Sequence, residues 1–208
     1  MVQGNGRFIA GMPQHPRQDV ERRGQLIGHQ EPNVALFGCS DSRLAAEIIF
    51  DKGLGDLFVV RNAGQIISDS VIGSLEYAVA ILHTPLIVVL GHDECGAVRA
   101  AIDCTREDAS PLPPHIRSLI EPIVPAVHRV ERRQHDQGRP GHERPDATEV
   151  GREHLRDTVA KLVESSEVLS DAIAAGTLAI VGANYRLLEG MAVPDVVIGD
   201  IGTPDNSR

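Results

Sequence analysis

The chain reads as an α/β protein with a mostly parallel central β-sheet of four to five strands flanked by helices. Two observations predict this. Short apolar runs bounded by turn residues recur along the 208 residues, as buried strands do. A helix-like pattern follows each of the first ones, which makes strand–loop–helix units of a parallel sheet.

Taken in order, Val34-Ala35-Leu36-Phe37-Gly38 predicts a first strand over 34–38, and the runs at 57–61, 86–90 and 178–182 predict three more. A short fifth is expected near 195–199. Residues 71–82 are apolar on most sides and predict a helix buried against the sheet and at an interface. Ile116, Leu119, Ile120, Ile123, Val124, Val127 and Val130 keep helical spacing, with Pro122 and Pro125 placed to kink or divide the segment. Leu155, Val159, Leu162, Val163 and Leu169 mark one cleaner amphipathic helix. Between these two segments, 132–148 is polar and carries Gly138, Pro140, Gly141 and Pro145, which predicts a mobile surface loop. The chain beyond it is needed for the last strands, so 1–208 is expected to form a single domain, with 1–30 as an N-terminal arm.

Composition narrows the function. A net charge of −9 without a basic block argues against nucleic acid or an anionic membrane as partner. No apolar run reaches transmembrane length and no cleavable signal pattern opens the chain, so a cytoplasmic location is expected. Three cysteines, two of them wanted as thiolates, suit a reducing compartment better than a disulfide framework.

The chemistry concentrates in Cys39-Ser40-Asp41-Ser42-Arg43 and His92-Asp93-Glu94-Cys95-Gly96, each directly after an apolar strand. Both groups therefore leave the carboxyl ends of strands, the edge at which open α/β sheets bind ligands. Two sulfurs and an imidazole are the donors zinc favours, and a catalytic zinc has three firm protein ligands and one open position. Cys39, His92 and Cys95 are the three candidates, for one zinc per chain. Asp41 and Arg43 add an acid–base pair beside them.

With these motifs in order, the sequence resembles the β-class carbonic anhydrases of bacterial type. The resemblance also rests on Asn5-Gly6-Arg7-Phe8, His15-Pro16, Gln30, the run 39–50, Phe58-Val59-Val60-Arg61-Asn62-Ala63-Gly64 and Ser74-Leu75-Glu76-Tyr77-Ala78-Val79. It covers essentially the whole chain and is strongest over 28–103. It implies a β-carbonic anhydrase-like fold, zinc held by Cys39, His92 and Cys95, and reversible hydration of carbon dioxide to bicarbonate and a proton. It further implies a dyad in which Arg43 holds the Asp41 carboxylate and Asp41 orients zinc-bound hydroxide; in a closed state Asp41 becomes the fourth zinc ligand. Gln30, Phe58, Ala63 and Tyr77 match positions lining the substrate pocket, and the Gly96 backbone lies beside the metal. A homodimer, or a tetramer of paired dimers, is implied with the site near the interface. Since the chain opens at the Asn5 motif, most of the family's leading helix is expected to be absent; a dimer is expected and a tetramer left open. A remote bicarbonate pocket in some members uses a tryptophan, an arginine and a tyrosine; Leu36 stands at the tryptophan's place, and Arg61 and Tyr185 match the other two.

Two thiolates and a neutral imidazole cancel the charge of the metal, so the site should acidify its water less than three histidines would, and activity should rise toward alkaline pH. An apolar pocket of Phe58, Ala63 and Tyr77 suits carbon dioxide. Carbon disulfide, with the same chemistry, remains an alternative substrate. A non-enzymatic site with Asp41 permanently on the metal remains an alternative role. Cys104 lacks a partner at metal spacing and is assigned no function. His83, His115, His128, His135, His142 and His154 are expected to be solvated.

Overall fold

The computed structural model describes residues 1–138 and 144–200. Its centre is one five-stranded sheet, β1 (Val34–Cys39), β2 (Leu57–Asn62), β3 (Leu86–His92), β4 (Ala179–Arg186) and β5 (Met191–Ile198), in the order β2-β1-β3-β4-β5. The first four are parallel and β5 closes the sheet antiparallel to β4. All five expected strands are present. The last is longer than expected, beginning at Met191, because its pairing with β4 shifts at Gly182/Ala183 and continues past the irregularity.

Burial follows position in the sheet. Every residue of β1 is buried, as befits a strand with parallel neighbours on both sides, whereas the edge strand β2 is half-buried. Alternate β1 side chains feed two cores. Leu36 packs with Leu90, Val98, Ile123 and Val127 on one face, and Phe37 with Leu75, Val89, Val159 and Ile180 on the other. Each such large side chain stabilises the fold by about 1.5–3 kcal/mol relative to exposure.

Helices cover both faces. The N-terminal arm contains α1 (Val2–Ile9) and α2 (Val20–Gln25), followed after β1 by α3 (Ala46–Ile49). Asn5 fastens α1 by donating to the Ile49 and Gly190 carbonyls and accepting from Ala192 N–H, and buried Asp51 accepts from Arg7 and from the Gln14 and His15 amides. The expected 71–82 helix is α4 (Asp69–Glu76) continued by a π turn at Tyr77–Ile81. Val71, Leu75 and Ala78 are buried on it while Tyr77 and Ile81 remain exposed, so only one side meets the sheet.

After β3 come α5 (Gly96–Cys104) and α6 (Pro114–Ile120), then a 3-10 turn at Glu121–Ile123 and α7 (Val124–Asp136). The prolines divide this segment as expected, each sitting in the opening of the element it starts. Two expectations need correction. The polar loop expected over 132–148 is shorter: 132–136 complete α7 and 147–148 open α8 (Ala147–Glu164), whose N-cap Asp146 accepts from the Thr148 and Glu149 amides; 139–143 lie outside the described residues. The single helix expected through Leu169 is two, α8 and α9 (Glu167–Ala174). Ser166 breaks it by accepting from Leu169 N–H as a new N-cap while donating to Glu76.

No helix among the described residues is long and apolar enough to cross a membrane.

Candidate metal centre

Strand order creates the site. The chain runs from β1 outward to β2 and then returns to the other side of β1 as β3, so the order reverses between β1 and β3, a topological switch point. The β1–β3 ladder ends at Gly38 and Leu90, while β1 stays paired with β2 through Cys39 and β3 with β4 through His92. The two strand ends thus separate at the residues that carry the donors.

Cys39 closes β1, His92 closes β3, and Cys95 is the N-cap of α5. All three are buried, and their candidate ligand atoms lie within 4.8 Å of one another. The turn from His92 to Cys95 is made by Glu94 in the left-handed region, φ 53°. His92 Nδ1 lies 2.7 Å from the Asp93 carbonyl oxygen. A carbonyl only accepts, so Nδ1 carries the proton and Nε2 presents a bare lone pair. That Nε2 is buried without a hydrogen-bond partner, as a ligand atom would be.

The sulfurs are coupled. Hydrogen bonding from Cys95, then from the Gly64 and Asp41 backbone, outweighs the opposing effect of burial and pushes the Cys39 thiol down to about 4. The same contact with Cys39 raises Cys95. One thiolate forms readily, and the second requires a cation to replace the shared proton. Gly64 N–H donates to Cys39 Sγ at 3.4 Å. Gly64 has φ +81°, and a Cβ there would sit 2.9 Å from that of Ala97, so glycine alone fits this approach.

Asp41 and Arg43 pair in fork geometry. Arg43 Nε donates to Oδ1 at 2.9 Å, Nη2 to Oδ2 at 2.7 Å, and the Arg43 amide also to Oδ1 at 2.9 Å. These bonds, led by the guanidinium, hold the Asp41 carboxyl well below the usual carboxylate range. Arg43 Nη2 also reaches the Glu94 carbonyl at 3.1 Å, tying the two ligand loops together.

The remaining expected residues are placed less closely. Gly96 opens α5 directly after Cys95 and is exposed. Phe58 and Tyr77 form a tilted ring pair with centroids 6.3 Å apart, Tyr77 being 46% exposed. Ala63 is exposed just beyond β2, and Gln30 is exposed in the segment before β1. Arg61 donates to the Cys39 carbonyl at 2.9 Å and the Asp41 carbonyl at 2.6 Å. Tyr185 is buried opposite His92 on β4, and Leu36 is buried on β1.

Sequence reasoning missed two contributors, Asp93 and His154, and matched a third, Arg61, only to the remote bicarbonate pocket. Arg61 supports the first loop directly. Asp93 Oδ1 accepts from Leu187 N–H at 3.0 Å and so supports the second. His154 was expected to be solvated and is instead buried, at 3% exposure. Its spacing from Val150 and Thr158 along α8 places all three on the buried stripe, which is the signal that identifies it. Of the other histidines, His83, His115, His128 and His135 are exposed as expected, and His142 lies outside the described residues.

With this geometry in place, comparison with known proteins is specific. The family described as Carbonic anhydrase matches residues 34–192. Carbonic anhydrase 2 of Mycobacterium tuberculosis is 49% identical over 202 residues, covering 97% of this chain and 93% of its own. Carbonic anhydrase of Mycolicibacterium smegmatis is 46% identical over 199 residues, covering 96% and 92%. Among solved structures, a tetrameric β-carbonic anhydrase of Sordaria macrospora superposes with a TM-score of 0.73 at 23% identity, covering 85% of this chain and 87% of its own. The fold is that of these β-carbonic anhydrases. The chain belongs to the β-class carbonic anhydrase family.

Proposed function

We propose that the protein catalyses reversible hydration of carbon dioxide to bicarbonate and a proton, with one zinc ion held by Cys39, His92 and Cys95. The observation that carries this reading is the buried group of two sulfurs and an unpartnered imidazole nitrogen within 4.8 Å, a donor set matched to zinc. Zinc bound there supplies a Lewis acid that lowers the pKa of water toward neutrality.

The chain's own residues do the rest. Asp41 stays ionised at every working pH because Arg43 holds its carboxylate. Oδ1 already accepts two hydrogen bonds and Oδ2 one, so of about four lone-pair positions Oδ2 keeps room for a proton of the attacking water. Asp41 thereby orients that water, and Arg43 keeps the carboxylate from turning onto the metal. Arg61 holds the Asp41 backbone, so the orienting oxygen is fixed at both ends. Phe58, Tyr77, Ala63 and Gln30 border the approach for carbon dioxide. The exposure of Tyr77 and Ile81 and the half-buried edge strand β2 favour a second copy of this chain completing that approach, in a homodimer or a tetramer.

Stopped-flow carbon dioxide hydration across pH on zinc-quantified protein tests the reading. Activity is expected to rise toward alkaline pH and, in Asp41→Asn with zinc content unchanged, to fall by about 10²–10⁴-fold. Absence of turnover at any pH despite one zinc per chain would overturn it, and faster turnover of carbon disulfide would reassign the substrate.

A further inference from the structure

Buried His154 stands behind the metal centre, on the stripe of α8 that packs against β3. One turn earlier, a Cβ added to Gly151 would lie 4.0 Å from the His92 carbonyl oxygen, so this stretch of α8 backs both ligand loops. His154 Nε2 is 2.8 Å from the carbonyl oxygen of Gly64. That oxygen can only accept, so Nε2 carries the proton and Nδ1 is bare. Nδ1 is itself buried without a partner, a cost tolerated for the sake of the bond at the other nitrogen. Burial lowers the pKa of the ring and so keeps the imidazole neutral, and the bond to the Gly64 carbonyl selects this tautomer.

Gly64 is the residue whose amide reaches Cys39 Sγ. It is gripped from two sides, N–H toward the sulfur and C=O toward the imidazole. The grip matters because Gly64 and Gln65 are consecutive residues at positive φ, +81° and +44°. Glycine is the least restrained backbone, and a non-glycine residue in the left-handed region needs support from its surroundings. Asn62 holds the ends of the turn, accepting from Gln65 N–H and clasping Ile66, but the imidazole is the described partner of the Gly64 carbonyl itself, and its loss lets the Gly64 peptide tilt and draw the N–H off the sulfur.

We propose that His154 is a positioning residue for the metal centre, donating from Nε2 to the Gly64 carbonyl and so keeping the Gly64 amide on Cys39 Sγ. The proposal rests on Cys39 being a metal ligand. Loss of a group that orients a ligand in this way lowers metal affinity by about 10–100-fold.

The test uses Zn2+ affinity by chelator competition and the thiolate-to-metal charge-transfer absorption of the Co2+-substituted protein. The unaltered protein is read first: absence of that absorption overturns the metal centre and this proposal with it. Given the absorption, His154→Leu is expected to weaken Zn2+ binding about 10–100-fold and to shift the band, whereas His154→Gln, whose amide donates to the same carbonyl, recovers most of both. Leu162→Ala, on the same helix and remote from the loop, is expected to lower the melting temperature while leaving affinity and band unchanged. Parental affinity and band in His154→Leu would overturn the proposal alone. NMR of the unaltered protein with isotope-labelled histidine gives a measurement free of mutation: a proton on Nε2 and none on Nδ1 is expected, and the opposite tautomer would overturn the proposal even if His154→Leu failed to fold.

Discussion

The β1 end and the β3 end carry the two halves of the candidate metal-binding group, and they are fastened to different flanking strands of the sheet. At the β1 end the ties to Cys39, Ser40 and the Asp41 backbone lead to β2 and the turn after it. Arg61 holds the Cys39 and Asp41 carbonyls, Gly64 N–H meets Cys39 Sγ, and Ser40 N–H donates to Asn62 O at 2.9 Å. At the β3 end the ties lead to β4. Asp93 N–H donates to Tyr185 O at 3.2 Å, and Leu187 N–H returns to the Asp93 carboxylate. From one loop to the other run the bond from Arg43 to the Glu94 carbonyl and the contact between the Cys39 and Cys95 sulfurs. The β1 side therefore anchors the Asp41–Arg43 pair as well as one candidate ligand, whereas the β3 side sets the strand end from which the other two candidate ligands project.

The largest effect should not distinguish the halves. Cys39→Ala, His92→Ala and Cys95→Ala are each expected to lose zinc, measured by metal analysis, and to lower kcat/KM by at least about a thousandfold, since several kcal/mol of Lewis-acid stabilisation leave with the ion. If one of them kept full zinc and activity, the group would not be the centre.

The next prediction separates the halves. Arg61→Ala frees the loop that carries Asp41 and is expected to lower kcat/KM about 10–100-fold, with zinc retained. Asp93→Ala removes a hydrogen bond to a carboxylate and is expected to cost about 1.5–3 kcal/mol of stability in a denaturant titration, with a smaller kinetic effect. Equal kinetic losses in the two variants would erase the contrast between the strand ends.

The smallest effect lies in acid and falls on the β1 side. Asp41 is held down by Arg43, Asp51 by the Gln14 amide and then Arg7, and Asp56, against the opposing effect of burial, by Arg17. A depressed folded pKa stabilises above the unfolded value of about 4, and that contribution fades as pH falls through the folded one. The melting temperature should therefore be level between neutrality and about pH 5 and decline below about pH 4. Asp51→Asn should flatten some of the decline, because its carboxyl titrates near 2. An unchanged slope in that variant would remove Asp51 from the account.

Much of the site was legible because its components are close in sequence. Cys39, Asp41 and Arg43 lie within five residues, His92 and Cys95 within four, and each set follows an apolar strand, so local spacing sufficed to read them. The prolines that divide α6 from α7 acted through their own ring geometry and could be read the same way. What escaped depends on separation. His154 meets Gly64 across 90 residues and Asp93 meets Leu187 across 94, and no local pattern carries such a pairing. The break between α8 and α9 is capped locally by Ser166 on Leu169 N–H, but the partner of the Ser166 hydroxyl, Glu76, is again 90 residues away.

The sequence by itself determined the strands, the donor atoms and the charge pair, because alternation of apolar runs with turns and the chemistry of sulfur, imidazole and carboxylate are properties of residues and their neighbours. Tertiary structure alone decided that β3 returns beside β1, that the two strand ends diverge just beyond Gly38 and Leu90, and that α8 presents an imidazole to the back of the Gly64 turn. Those follow from ladder register and from helix packing on the sheet, interactions whose energy exists only once distant segments have met.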